Sequence, residues 1–342
     1  MSTNPEYNMT GIDYANRNHF VSLDFPVIDI HSHVTMTSPS DSAQGPAGGS
    51  GLKGSTEHAE KMLRIAEEFG ITKTISMCPI DDVEPLKATL GRKIGFNAMI
   101  NKKPEESEID VLKNLDRFLD SGIVMVKLWS APRGRERGFF VNAPWRKTAL
   151  KHAFANGIRS VMVHVGDPDC WWESTYKDTV KFGTKAEQYP PFEEMLNEFP
   201  EFNWIGAHMG GDPEHPDHLQ NLLEKYPHLH FDTSATKWQI REVSLRREQI
   251  RFLIEKFPDR FLFGSDLVTR HGLDAEHYVS RYWCQRTLWE SSWEGRSPIQ
   301  DPEFKNVPPE AHQTPELKGV ALSPPTLKKV YYENAHLILT KR

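Results

Sequence analysis

VIDIHSH, residues 27–33, is an apolar run of strand length that ends in two histidines two positions apart. On a strand, residues i and i+2 share a face, so the imidazoles of His31 and His33 project together. A bare His-x-His is a weak signal, because two neighbouring surface histidines give the same letters. Its weight comes from what recurs downstream. Short runs rich in Val, Ile or Phe follow at Ile71–Met77, Lys93–Met99, Ile123–Leu128, Ser160–Val165, Asn203–Ala207, Leu229–Phe231 and Arg260–Phe263. Each reads as a strand buried on both faces. The fourth run ends near Lys127 (IVMVKLW), the fifth at His164 (SVMVHVGDP), the sixth at His208 (WIGAHMGG) and the eighth at Asp266 (FLFGSDL).

Amphipathic stretches separate these runs. Glu57–Phe69, Ile109–Leu119 and Trp145–Ala155 each stop near a glycine (Gly70, Gly122, Gly157), as helix C-caps require. Phe192–Phe199, Leu219–Tyr226 and Ile250–Phe257 each stop at a proline, which cannot continue a helix. Eight strand–helix units predict an α/β fold of the (β/α)8 TIM-barrel type over an open doubly wound sheet, although periodicity alone does not reveal closure. Residues 1–25 read as an N-terminal arm and 26–342 as a single barrel domain. Residues 36–56, rich in Gly, Ser and Pro, read as a loop insertion after the first strand. Residues 271–320, with Tyr278, Tyr282, Trp283, Trp289 and Trp293, read as a helical excursion after the eighth strand that packs over the barrel. Pro324–Leu339 reads as the last helix.

Composition narrows the class of activity. A chain of 342 residues buries a large core without staples, and its three cysteines, Cys78, Cys170 and Cys284, are too few and too scattered for a disulfide framework. A net charge of −6 argues against nucleic acid as a partner. No apolar stretch is long enough to span a membrane, and no secretory signal is visible in the first residues, so the expectation is a cytoplasmic protein. Neither a G-x-G-x-x-G nor a Walker pattern occurs, so no nucleotide cofactor is indicated. The expected partner is a small-molecule substrate, and the aromatic stretch 278–293 leaves a homo-oligomer as an expectation.

In a barrel the C-terminal ends of the strands form the site. Five imidazole or carboxylate groups (His31, His33, His164, His208, Asp266) and Lys127 fall there together. Neutral imidazole and carboxylate suit Zn²⁺ and related divalent ions, with Mn²⁺ also compatible. Trp129, Arg133, Trp172 and Lys237 follow strands four, five and seven and are candidates to bind substrate, against the plainer reading of loop packing. Asp232 and Ser234 are candidates to hold His208 or a water at the ion.

The ordered set DIHSH, VKL, HVG, GAHMGG, DTSA, FGSD and terminal YYENA resembles the amidohydrolase superfamily, specifically its amidohydrolase-related (amidohydrolase 2) branch, over about residues 27–340. That branch contains metal-dependent hydrolases and non-oxidative decarboxylases. The resemblance implies His31, His33, His164 and Asp266 as ligands of one divalent ion, usually zinc, with His208, Asp266 and Lys127 as the catalytic groups. It also offers a two-ion variant in which Lys127 is carbamylated and bridges the ions, with His208 on the second; the alternative is a lysine paired with Asp266 or a substrate carboxylate. The leading expectation is a hydrolase in which metal-activated water attacks an amide, ester or lactone carbonyl of a small carboxylate-bearing molecule. A decarboxylase of an aromatic or unsaturated acid is the runner-up, and a non-catalytic metal-binding barrel the third reading.

Overall fold

The computed structural model describes residues 5–36, 54–270, 272–301 and 313–340. The expected loop over 36–56 therefore lies largely outside the described residues, as do His271 and residues 302–312.

Among the described residues nine short strands form one parallel sheet: β1 (Val27–His33), β2 (Ile71–Met77), β3 (Ile94–Met99), β4 (Met125–Trp129), β5 (Ser160–His164), β6 (Asn203–Gly206), β7 (Leu229–Asp232), β8 (Phe261–Leu262) and β9 (Leu267–Val268). Their order is β8-β7-β6-β5-β4-β3-β2-β1-β9. β8 and β9 are nearly continuous in sequence yet lie at opposite edges, so the sheet curls until its ends meet. Across that seam Ile30 N donates to Phe263 O (2.9 Å) and Asp266 N to His31 O (2.8 Å). The arrangement is consistent with a (β/α)8 barrel. Lower in the seam, Phe263 N donates instead to Val330 O (2.8 Å), and Asn334 Nδ2 donates to Phe261 O (2.8 Å). The C-terminal helical segment, Pro324–Lys328 running through a π turn into Asn334–Thr340, thus wedges against β8.

Local chemistry explains where the helices begin. Ser55 caps the helix Thr56–Glu68 by accepting from His58 N, and Ser107 and Asp110 form a reciprocal capping box at the start of Glu108–Asp120. Inside the barrel, Ile28, Ile30, Ile75, Met125, Met162, Ile205 and Leu262 fill the lumen, with Ala335 and Ile338 closing it from below. This apolar plug leaves only the C-terminal end of the sheet open to chemistry.

The helix Ala275–Glu290 is buried along most of its length and packs against the helices Thr56–Glu68 and Thr236–Leu245. Beyond it, Glu294–Arg296 pairs antiparallel with Glu316–Lys318. Residues 5–25 run along this helix: Trp283 Nε1 donates to Asn16 O (3.2 Å), and His19 Nε2 meets Thr287 Oγ1 at 2.8 Å. Among the described residues no helix is long and apolar enough to cross a membrane.

Candidate metal centre

β1 does not run straight into the site. Asp29 pairs with Thr74 and Ser32 with Ser76, so three residues on β1 advance against two on β2, a bulge. Ile30 stays with the lumen residues, while His31 rises beside Asp232, Lys127 and His208. Asp29, two positions earlier, turns to the other side, where its carboxylate accepts from Ser265 N (3.0 Å) and Ser265 Oγ (2.5 Å). Burial pushes Asp29 up to about 7.

Three donor atoms converge above the plug. His33 Nε2 lies 3.1 Å and His31 Nε2 3.4 Å from the same oxygen, Asp266 Oδ1. These residues form a compact His–His–Asp group able to hold a metal ion. His31 is aimed by Asp232, whose Oδ2 is 2.8 Å from His31 Nδ1. A carboxylate there fixes the proton on Nδ1 and leaves Nε2 as the lone-pair nitrogen that a metal needs. Burial, helped by the Lys127 cation, lowers the His31 pKa and keeps the ring neutral. Burial opposes ionisation of Asp266, but the surrounding His208, His33 and His31 outweigh it and hold the carboxyl well below its usual range. Donor chemistry and tautomer therefore fit a divalent ion of the zinc type.

The other strand-end residues gather around this group. His208 stacks on His31 with ring centroids 4.9 Å apart, and its Nδ1 meets Ser234 Oγ at 2.7 Å. Asp232 Oδ1 accepts from His208 N (2.8 Å), from Ser234 N (3.0 Å) and from the Ser234 hydroxyl. One buried carboxylate thus orients two imidazoles. Burial would raise the pKa of Asp232, but the His31 ring beside it brings it down. Lys127 Nζ lies 3.4 Å from His31 Nε2, and burial brings the amine down to about 8. The ring of His164 is 4.7 Å from that of His208, but its Nε2 meets Asp167 Oδ1 at 2.9 Å, and His164 is not part of the compact group. Asp167 is anchored in turn by the Tyr176 hydroxyl at 2.7 Å.

The backbone at these strand ends is unusual. His208 (φ 56°), Ala235 (φ 70°) and Asp266 (φ 58°) all adopt left-handed conformations, which cost non-glycine residues on the order of 1–3 kcal/mol and cluster at functional sites. Gly211 (φ +73°) shows why the turn after His208 is glycine-rich: a methyl group there would lie 2.0 Å from Gly166 O.

The four expected substrate contacts separate. Lys237 lines a cavity of about 340 Å³ together with Asp266, Trp171 and Trp238. Trp129 instead packs with Met77, Met99, Ala131 and Phe139. Trp172 packs at a tilt against Tyr176 (centroids 5.0 Å apart) and donates from Nε1 to Asp167 O (3.2 Å), and Arg133 is exposed. Asp167, Glu6 and Arg281 lie outside the candidates legible in the sequence, and His277, on a helix, reads there as structural. Asp167 stands three residues after His164 in the GDP turn, the one local hint among them.

A further His–Asp group, Asp169, Asp212 and His215, lies on the loops after β5 and β6. Its cation is already supplied: Lys185 Nζ lies 2.7 Å from both Asp169 Oδ1 and Asp212 Oδ1.

The family model described as Amidohydrolase matches residues 28–339. No curated protein matches the sequence. Solved structures share the fold at low identity. They include 2,6-dihydroxybenzoate decarboxylase from Rhizobium (13% identical, covering 92% of this chain and 98% of that one, TM-score 0.56). An amidohydrolase from Burkholderia multivorans (11%, 92% and 100%, 0.54) and a mutant organophosphorus hydrolase from Deinococcus radiodurans (11%, 92% and 93%, 0.53) are similar in the same way. A match across nearly the whole chain, laid over a curled parallel sheet with His and Asp at its strand ends, identifies the lineage: the chain belongs to the amidohydrolase family.

Proposed function

We propose that this protein is a metal-dependent hydrolase that cleaves an amide, ester or lactone in a small carboxylate-bearing molecule. The observation that carries the reading is the convergence of His31 Nε2 and His33 Nε2 on Asp266 Oδ1, within 3.4 Å, beside the stacked ring of His208. His31, His33 and Asp266 would hold one zinc or manganese ion. His164, which stands outside this compact group with its Nε2 against Asp167, would be the fourth ligand only on turning away from that carboxylate. Bound there, the ion would lower the pKa of a water and polarise the substrate carbonyl.

The chain's own groups manage charge and protons around it. Asp266, kept ionised by its imidazole neighbours, takes a proton at its carboxylate. His208 is held neutral by burial, and with Nδ1 tied to Ser234 it presents Nε2 to hold or pass that proton. Lys127, held near 8 by burial, places an ammonium beside the site where negative charge develops. Trp238 packs edge-on to His208 at 5.7 Å and screens it from water.

The test is a screen of lactones, amides, esters and aromatic carboxylates with zinc- and manganese-loaded protein, wild type beside His208→Ala. The expected result is hydrolysis by the wild type, lost in His208→Ala although the ion stays bound. Turnover retained in His208→Ala would overturn the role of that ring. Release of CO2 from a carboxylic acid without hydrolysis would replace this reading with the decarboxylase one.

A further inference from the structure

The cavity in front of Asp266 has a second pole. Its volume, about 340 Å³, is that of a small-molecule site. Besides Asp266 it is walled by Lys237 and Arg270, by His277 and Arg281 from the helix Ala275–Glu290, and by Glu6 and Tyr7 from the N-terminal arm. Lys237 Nζ is 2.7 Å from Glu6 Oε1, and Arg281 Nη2 is 3.5 Å from the same oxygen. Lys237 and Arg281 therefore share one carboxylate, and Arg270 acts on it through space. His277, only 9% exposed, adds a buried Nδ1 with no hydrogen-bond partner.

The arm is built into this wall. Glu6 O accepts from Gln300 N (3.1 Å), Met9 N donates to Pro298 O (2.8 Å), and Tyr7 packs edge-on to His277 with centroids 5.2 Å apart. The Glu6 side chain nonetheless keeps 36% of its surface in water. Arg281 is buried and Lys237 largely so, and the two cations therefore need an anion in place, so that Glu6 leaves only as another carboxylate takes its position.

We propose that this pole is an anion subsite: the substrate carries a second carboxylate, distal to the bond that is cleaved, which lies between Lys237 and Arg281. Glu6 is the internal carboxylate that occupies the subsite in the free protein and is displaced by substrate. The subsite rests on the hydrolase reading for what happens at the near pole, and it names the substrate class as dianionic or larger.

The experiment is calorimetric titration with glutarate and, as the uncharged counterpart, glutaramide, on wild type, Lys237→Gln, Lys237→Arg and Glu6→Gln. Each is measured with its zinc content known and again after chelation. Lys237→Gln is expected to weaken glutarate about ten-fold and leave glutaramide unchanged, with Lys237→Arg restoring most of the loss. Glu6→Gln is expected to strengthen glutarate about three-fold by removing the competitor. Equal effects of Lys237→Gln on both probes, or weaker glutarate binding in Glu6→Gln, would overturn the subsite. If Glu6→Gln lowers the melting temperature by loosening the arm, the two Lys237 variants decide. Protein that binds no zinc would overturn the hydrolase reading instead, and the charge discrimination in the chelated protein still tests the subsite.

Discussion

Replacing Asp232 by asparagine changes one atom in a fully buried position and should nevertheless weaken metal binding strongly. Asp232 Oδ1 takes three donors, His208 N, Ser234 N and the Ser234 hydroxyl, while Oδ2 faces His31 Nδ1 at 2.8 Å. In Asp232→Asn the three donors fix the amide oxygen at the Oδ1 position. The amide NH2 then faces Nδ1, where two donors cannot pair. His31 must move its proton from Nδ1 to Nε2, the nitrogen 3.4 Å from Asp266 Oδ1. Ligation then requires giving up the new hydrogen bond. Loss of such a supporting partner weakens metal binding roughly 10–100-fold, about 1.4–2.7 kcal/mol. Competition with a chelator of known zinc affinity measures it. An Asp232→Asn affinity within about two-fold of wild type would refute the tautomer argument on which the His31 assignment rests.

Further expectations concern stability. Lys185 is the cation among Asp169, Asp212 and Glu214, so Lys185→Met should destabilise the protein by about 3–5 kcal/mol in urea unfolding, and a change below about 1 kcal/mol would contradict that role. Asp29 has its pKa raised by burial from 3.8 to about 7 in the folded protein. A raised folded value means its contribution is complete below 3.8 and is lost as the pH rises through about 7, up to about 4 kcal/mol. Asp29→Asn should flatten that part of the melting-temperature profile of metal-free protein; an unchanged profile would show that another group sets it.

Much of the centre was legible in the sequence because barrel strand ends converge. His31, His33, Lys127, His164, His208 and Asp266 could be picked out one strand at a time, and they do gather in the structure. The rest depended on contacts that periodicity does not encode. The bulge in β1, which sends Asp29 and His31 to different sides, is a matter of register against β2. That His164 turns its Nε2 to Asp167 is decided within the turn after β5, not by position on the strand. Trp129 shares a face of β4 with Met125 and Lys127, and its packing with Met77, Met99 and Phe139 at the strand ends is a tertiary contact that its position on the strand does not name. Glu6 lies 231 residues from Lys237 in sequence, and nothing in the arm's composition announces the meeting.

The central claim is that His31, His33 and Asp266 hold one divalent ion. Its most direct test is the metal content of purified protein by inductively coupled plasma mass spectrometry, wild type beside Asp266→Ala. The account predicts about one zinc or manganese per chain in the wild type and its loss in the variant. No ion in the wild type, even after refolding with metal, or an ion retained in full by Asp266→Ala, would contradict it.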